Sequence, residues 1–253
     1  ALGGNVKAIV VGSAACQERL VRIFSSANII IMEGYGLTET SPVVTVNRFE
    51  SEDRRVGTVG PLIDDVQVKI ADDGEILIKG PNVTVGYYKH DELTKESMQG
   101  GWFHTGDIGV MVDNRFLKIT DRKKEIFKTS GGKYIAPQAM ENKLKESSFI
   151  EQVMVVGENQ RFPGALIVPA FSYLRNWCEI KGIKVVSNIE MIKDPLVVER
   201  VAKEVEVLNQ DFGQAEQIKK FKLVPTEWTI EGGELTATLK LRRKIIADRK
   251  SVV

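Results

Sequence analysis

The sequence predicts a mixed fold in two parts: an α/β edge with a small antiparallel β-barrel, followed by an α+β domain. Apolar runs flank a helical pattern near the N-terminus, short alternating strands separated by turn residues fill the middle, and strands mix with long helical patterns after residue 122. We expect the first part to cover residues 1–122, with an internal division at residue 50. The second part is expected to cover residues 123–253.

The beginning of the chain is predicted to fold as strand, helix and strand. Residues 6–11 and 29–32 are apolar runs, and Leu20, Ile23 and Phe24 give a helical pattern between them. Uninterrupted apolar strands around a helix are typical of a parallel sheet that is buried on both faces. Residues 1–50 are therefore predicted to form the edge of an α/β layer.

The middle of the chain, residues 56–120, contains short strands in which apolar and polar residues alternate. The two predicted hairpins share this design, and each is joined by an Asp-containing turn: 66–70 with 75–79, and 108–112 with 116–120. We expect these strands to form the small antiparallel barrel or sheet.

The second part begins with helix and strand signals of its own. Pro137 suits the first position of a helix, and residues 153–156 and 165–168 are predicted to form a pair of strands. Asp194 is placed to cap a long helix that begins at Pro195. The apolar residues of that helix recur every three or four positions, as core packing requires: Val198, Val201, Val205, Leu208 and Phe212.

The composition limits the classes of function. Of the 253 residues, 43% are hydrophobic and 27% charged, and the net charge of +1 does not favour a nucleic acid as partner. Cys16 and Cys178 lie far apart, so no disulfide framework is indicated, and both are expected to be buried, unreactive thiols. Because no run of about 18 apolar residues occurs, no membrane-spanning helix is predicted. A cytoplasmic location is expected, and peripheral membrane association stays open.

Four short motifs carry the functional signal: EGYGLTET (33–40), HTGD (104–107), TDRKKEIFKTSGGKYIAP (120–137) and LTATLK (235–240). Alone, each has an ordinary structural explanation as a tight turn, a charged surface turn or a solvated helix face. In this order and together, they resemble the motifs of the adenylate-forming superfamily. The third motif most resembles the long-chain fatty acyl-CoA synthetases of that superfamily.

The resemblance implies that the first motif binds ATP. Tyr35 would stack on adenine, with Gly34 and Gly36 allowing close approach of the backbone. Thr38 would offer its hydroxyl to a phosphate, and Glu39 would bind the Mg²⁺ that accompanies ATP through carboxylate oxygen.

The resemblance also implies a ribose site and an adenine loop. Asp107 would accept hydrogen bonds from the two ribose hydroxyls, since a carboxylate offers two acceptor oxygens. Arg122 would hold the ribose or phosphate with its donor fork. Gly12, Ser13 and Ala14 occupy the position of the family loop that lines the adenine pocket and the acyl site.

The remaining two motifs imply the catalytic charge and the CoA step. Lys240 would neutralise the charge that develops between the carboxylate and the α-phosphate during adenylation. Lys124 falls at the family's hinge, about which the C-terminal lid domain rotates between half-reactions. Gly131 and Gly132 would let the pantetheine arm of CoA pass, and Lys128 would assist thioester formation.

Two further features are interpreted as structural. Residues 74–88 match another family motif to which we assign no chemistry, and His104 is expected to make structural hydrogen bonds.

No segment matches the family's phosphate loop. We therefore expect the chain to be a C-terminal portion that lacks the N-terminal part of the enzyme and is inactive alone. Two alternatives stay open: a ligase for another carboxylic acid, and a split or degenerate half that binds a nucleotide or a partner.

Overall fold

The structure, a computed structural model, describes residues 3–249 and divides the chain into two compact units, Ala1–Glu125 and Ile126–Val253. The outermost ends of both predicted domains, residues 1–2 and 250–253, lie outside the described residues. The functional boundary expected after residue 122 stays a prediction.

The first unit alternates strands with two α-helices and two short 3-10 turns, Thr38–Thr40 and Ser51–Asp53. Its elements are β1 (Ala8–Val11), α1 (Glu18–Ser26), β2 (Ile30–Gly36), β3 (Val43–Val46), β4 (Gln67–Ile70), β5 (Glu75–Lys79), α2 (Asp91–Ser97), β6 (Met98–Gln99), β7 (Trp102–Val112) and β8 (Phe116–Arg122).

The strand–helix–strand prediction at the start of the chain is confirmed. β1 and β2 pair in parallel, and β3 adds to β2 in the antiparallel direction. The predicted face of α1 is wrong, however. The helix turns Val21 inward, where it is buried, and leaves Leu20 and Ile23 exposed.

The middle strands form an open antiparallel sheet in the order β4-β5-β7-β6, with β8 also paired to β7. The predicted hairpins β4–β5 and β7–β8 are confirmed. Closure into a barrel is wrong for the described residues, because none of the described strand pairings joins β4 to β8. The long strand β7 is the centre of this sheet, since it pairs with β5, β6 and β8.

The second unit combines a three-stranded sheet, a two-stranded ribbon and several helices. Its elements are β9 (Phe127–Lys128), β10 (Tyr134–Ile135), α3 (Pro137–Leu144), β11 (Ile150–Val156), β12 (Gly164–Pro169), α4 (Phe171–Lys181), α5 (Asn188–Met191), α6 (Pro195–Asn209), β13 (Lys220–Leu223) and α7 (Arg243–Arg249).

The helix starts and the strand pair predicted for the second unit are confirmed. α3 begins at Pro137, and β11 pairs with β12 in the antiparallel direction. The Asp194 carboxylate accepts the N–H groups of Leu196 and Val197 at 2.9 and 3.3 Å, so it caps α6. Phe212 lies beyond the end of that helix but still packs against the core of the unit.

The two cysteines differ in burial. Cys178 is buried on α4 as predicted, whereas Cys16 is half-buried, so that prediction is wrong for Cys16. The reason is that Cys16 precedes the first residue of α1 and lies in the loop that leads into it. Burial raises the pKa of both thiols, which favours the unreactive protonated form.

Within residues 3–249, no helix has the combination of length and apolar character that crossing a bilayer demands.

Candidate functional site

Three of the predicted site residues meet at the carboxylate of Asp107. The hydroxyl of Tyr35 donates to Asp107 Oδ2 at 2.7 Å, and Arg122 Nε lies 2.8 Å from Asp107 Oδ1. Asp107 and Tyr35 are buried, whereas the side chain of Arg122 is about half exposed. The fold thus brings together side chains from β2, β7 and β8 around one carboxylate.

The β7–β8 hairpin explains the position of two of these residues, because Asp107 and Arg122 are direct partners across it. The backbone N–H of Asp107 donates to the hydroxyl oxygen of Thr105 at 3.0 Å. The Thr105 hydroxyl in turn donates to the carbonyl of Ile76 on β5 at 2.7 Å. The backbone that carries Asp107 is therefore fixed from the neighbouring strand as well.

This arrangement holds a buried carboxylate in a defined orientation. Tyr35 and Arg122 bind different oxygen atoms of Asp107, which fixes the plane of the carboxylate. Burial, followed by the charge of Asp107, raises the pKa of Tyr35, which keeps its hydroxyl a donor at neutral pH. The sequence did not predict this use of the Tyr35 hydroxyl, because the contact joins residues far apart in the chain.

Glu39 lies in the 3-10 turn after β2, next to the exposed Thr38. The hydroxyl of Tyr87 donates to Glu39 Oε1 at 2.8 Å, and the N–H of Thr84 donates to the Glu39 carbonyl at 2.7 Å. The sequence indicates a structural role for residues 74–88, yet Tyr87 contacts the predicted site residue Glu39. No local pattern around Tyr87 indicates this contact.

Gly12, Ser13 and Ala14 form an exposed loop directly after β1. Because β1 and β2 are parallel, this loop leaves the same edge of the sheet as the Gly34–Gly36 end of β2. The N–H of Cys16 donates to Glu33 Oε1 at 2.9 Å, which ties the loop to β2. Ligands of open α/β sheets bind at this carboxyl edge.

The residues predicted for the hinge and the CoA step are exposed, and all of them except Lys128, which ends β9, lie in turns. Lys124 is in the turn after β8, where the N–H of Glu125 donates to the Arg122 carbonyl at 2.8 Å. Gly131 and Gly132 are in the turn between β9 and β10. Lys128 Nζ lies 5.3 Å from the centre of the Tyr134 ring, a cation–π contact beside that turn.

Lys240 lies in an exposed turn that precedes α7. Its N–H donates to the hydroxyl oxygen of Thr236 at 3.1 Å, and its carbonyl accepts the N–H of Thr236 at 2.9 Å. The basic run that follows is not a uniformly solvated helix face, because Arg243 makes a bidentate contact with the buried Glu141 at 2.7 and 2.8 Å. The segment that carries Lys240 is therefore anchored on one side.

Among the described residues, no group of three or more His, Cys, Asp or Glu side chains is placed to hold a metal ion.

Comparison with known proteins gives two family matches. The family description "AMP-binding enzyme" matches residues 1–88, and "AMP-binding enzyme C-terminal domain" matches residues 124–249. The long-chain-fatty-acid–CoA ligase FadD15 of Mycobacterium tuberculosis is 38% identical over 250 residues, which cover 98% of this chain and 41% of the relative. Long-chain-fatty-acid–CoA ligase 1 of Homo sapiens is 35% identical over 258 residues, 96% of this chain and 36% of the relative.

Solved structures share the fold at lower identity. The A domain of a carboxylic acid reductase from Segniliparus rugosus, in complex with AMP and a co-purified carboxylic acid, has a TM-score of 0.76 and 24% identity, covering 99% of this chain and 39% of that domain. The o-succinylbenzoate-CoA synthetase of Bacillus subtilis, in complex with ATP and a magnesium ion, has a TM-score of 0.69 and 22% identity, covering 94% of this chain and 45% of the synthetase. These likenesses show the fold.

Proposed function

This chain belongs to the family of AMP-binding enzymes, and from that premise we propose that it is part of an ATP-dependent long-chain fatty acid–CoA ligase. The chain spans about two-fifths of the length of the first curated relatives that it matches. In the first half-reaction the acid and ATP give acyl-AMP and pyrophosphate. In the second, the CoA thiol attacks the acyl carbon and loses its proton, so that the C–O bond to AMP breaks and the thioester forms.

The observation that carries the proposal is the oriented carboxylate of Asp107. It accepts the ribose hydroxyls of the nucleotide through its two oxygen atoms, while Tyr35 and Arg122 hold it in position. Arg122, half exposed, adds positive charge beside the ribose and the phosphate. The loop at residues 12–14 and the ring of Tyr35 border the adenine.

Glu39 suits the role of one Mg²⁺ ligand. Mg²⁺ in nucleotide sites is usually held by one or two carboxylates, with phosphate oxygens and water supplying the rest. Bound Mg²⁺ would neutralise phosphate charge. Tyr87 fixes Oε1 of Glu39, and Thr38 offers its hydroxyl to a phosphate.

The second unit supplies the mobile groups of the reaction. Lys240 contributes the positive charge that stabilises the transition state of adenylation. At the end of the first unit, Lys124 is the hinge at which the lid domain turns. Within the second unit, Lys128 assists thioester formation, and the turn at Gly131 and Gly132 admits the pantetheine arm of CoA. We propose that the complete enzyme is cytoplasmic and that it carries out the reaction only together with an N-terminal part, as in the longer relatives.

A nucleotide-binding module is the second candidate function. It is favoured by the fact that Tyr35, Asp107 and Arg122 all lie within the first unit, so ribose recognition does not depend on the second. A CoA ligase for a different carboxylic acid would use the same nucleotide site. Measuring activity with a panel of acids distinguishes it from a ligase for long-chain fatty acids.

Ribose recognition is tested by comparing two ligands on this chain. NMR titration with AMP and with 2′,3′-dideoxy-AMP, which lacks both ribose hydroxyls, measures what those hydroxyls contribute. We expect Asp107→Asn to weaken AMP by about tenfold or more, because hydrogen bonds to a charged group contribute about 1.5–3 kcal/mol. The dideoxy ligand should bind the variant and the wild type alike.

Asp72→Asn is the matched control, since Asp72 is exposed and lies on the same unit. It should leave both affinities unchanged. Equal affinity of the wild-type chain for AMP and dideoxy-AMP would contradict ribose recognition by Asp107.

A further inference from the structure

Glu75 is a buried carboxylate at the start of β5, and the reaction described above does not use it. It is 5% exposed and precedes the buried apolar residues Ile76, Leu77 and Ile78. Taking an ionised carboxylate out of water is costly unless charged or polar donors surround it. The partners of Glu75 therefore indicate why the fold keeps a charge there.

Three donors converge on this carboxylate. Oε1 accepts the backbone N–H of Gly106 at 2.9 Å. Oε2 lies 3.1 Å from His104 Nδ1 and 2.8 Å from Lys123 Nζ. Gly106 directly precedes Asp107, and Lys123 directly follows Arg122, so Glu75 holds the immediate neighbours of both ribose-site residues.

The sheet register shows why these neighbours need holding. Glu75 and Leu77 on β5 are opposite Ile108 and His104 on β7, so the ladder is irregular between the two pairs. Residues 105–107 fall in this β-bulge, and a bulge leaves backbone groups without ladder partners. The N–H of Gly106 finds its acceptor in Glu75.

The backbone at Gly106 has φ +70°, a left-handed conformation that aims the next residue away from the regular strand direction. The N–H of Lys123 donates to the Gly106 carbonyl at 2.8 Å, which closes the bulge onto the end of β8. Glu75 therefore binds two parts of the site. Its Oε1 holds the bulge through the Gly106 N–H, and its Oε2 holds the side chain of Lys123.

We propose that Glu75 is a positioning residue of the nucleotide site, whose charge holds the bulge so that Asp107 and Arg122 meet the ribose together. The inference rests on the proposed function of Asp107. It also gives His104 and Lys123 a role, as the donors that keep Glu75 ionised within the sheet. Lys123 has a second partner, Asp73, at 2.7 Å.

Glu75→Gln tests the proposal because glutamine has the same size but cannot accept from three donors at once. Its oxygen can keep Gly106, whereas its NH₂ group would then face His104 and Lys123. We expect the affinity of the chain for AMP to fall at least about fivefold and that for dideoxy-AMP to stay at the wild-type value. The amide resonances of Gly106 and Asp107 should show exchange that the wild type lacks.

Glu92→Gln is the matched control, because Glu92 is exposed on α2 of the same unit and undergoes the same change of charge. If Glu75 had only a general structural role, both ligands would lose affinity equally. That result, or wild-type affinity for AMP in a folded Glu75→Gln variant, would overturn the inference.

A second variant covers the case in which Glu75→Gln does not fold. Lys123→Gln removes one donor from Oε2 at a side chain that is 45% exposed, so the sheet should tolerate it. The same loss of AMP affinity without loss of dideoxy-AMP affinity is expected, and its absence would overturn the inference. Failure of the proposed function looks different, since the wild-type chain itself would not distinguish the two ligands.

Discussion

The ion pair between Arg243 and Glu141 in the second unit gives the sharpest stability prediction. Glu141 is 4% exposed and accepts both Arg243 nitrogens as well as the N–H of Val155 at 2.7 Å. Arg243→Met removes the guanidinium but retains an unbranched apolar chain. The variant therefore leaves a buried carboxylate with a backbone partner and without its bidentate ion pair.

The expected loss of unfolding free energy is about 3–5 kcal/mol, the usual cost of removing one partner from a buried ion pair. Burial raises the pKa of Glu141, and Arg243, with a smaller contribution from Lys145, opposes this rise. Without Arg243 the pKa in the folded variant rises further above its unfolded value.

The sign of the pH dependence follows from this shift. A group whose pKa is higher in the folded state gives stability that is present below the unfolded pKa and lost as the pH rises through the folded pKa. The Arg243→Met variant should therefore be closer to the wild type at about pH 5 than at about pH 8.

Urea denaturation of the whole chain at both pH values measures these differences, and hydrogen exchange of peptides from α3 and β11 assigns them to the second unit. Arg242→Met is the control, because Arg242 is exposed beside Arg243 and should change stability by no more than about 0.5 kcal/mol. If Arg243→Met lost no more stability than Arg242→Met, or if its loss were the same at both pH values, Arg243 would not be stabilising the ionised Glu141.

Three further predictions concern single side chains. Gly36→Ala should unfold part of the first unit, because a Cβ there would lie 1.6 Å from the carbonyl oxygen of Pro42. Hydrogen exchange measures this as lost amide protection, and native-like protection would contradict the described turn. Leu174→Ala should cost about 2–5 kcal/mol in urea, since Leu174 is fully buried, whereas Ile180→Ala on the same helix, 82% exposed, should be nearly neutral. Lys240→Ala should leave the melting temperature of the chain unchanged, because the side chain is exposed in a turn, and a large drop in that temperature would show a structural role instead.

Local signals were enough to predict many of the elements. Pro137 and Asp194 mark helix starts through the geometry of one turn, and the hairpin between β7 and β8 follows from alternation around a short turn. The barrel was wrong because closure depends on which distant strands pair. Alternation within a strand carries no information about that choice.

Some residues of the candidate site could be predicted from the sequence and others could not. The motif resemblance named Tyr35, Asp107 and Arg122, and the structure places them in contact. The contributions of Tyr87 and Glu75 could not be predicted, because each depends on a side chain that reaches across to another segment. A single acidic residue at the head of an apolar strand, as at Glu75, was the one available signal.

The most direct test of the account is isotope-traced formation of acyl-AMP and acyl-CoA from ATP, Mg²⁺, CoA and a panel of carboxylic acids. It is run on this chain and on the chain extended upstream through a phosphate loop. We expect activity with long-chain fatty acids in the extended protein alone, and we expect Lys240→Ala to abolish it. Acyl-CoA formation by this chain by itself, or no activity in a folded extended protein with any acid, would contradict it.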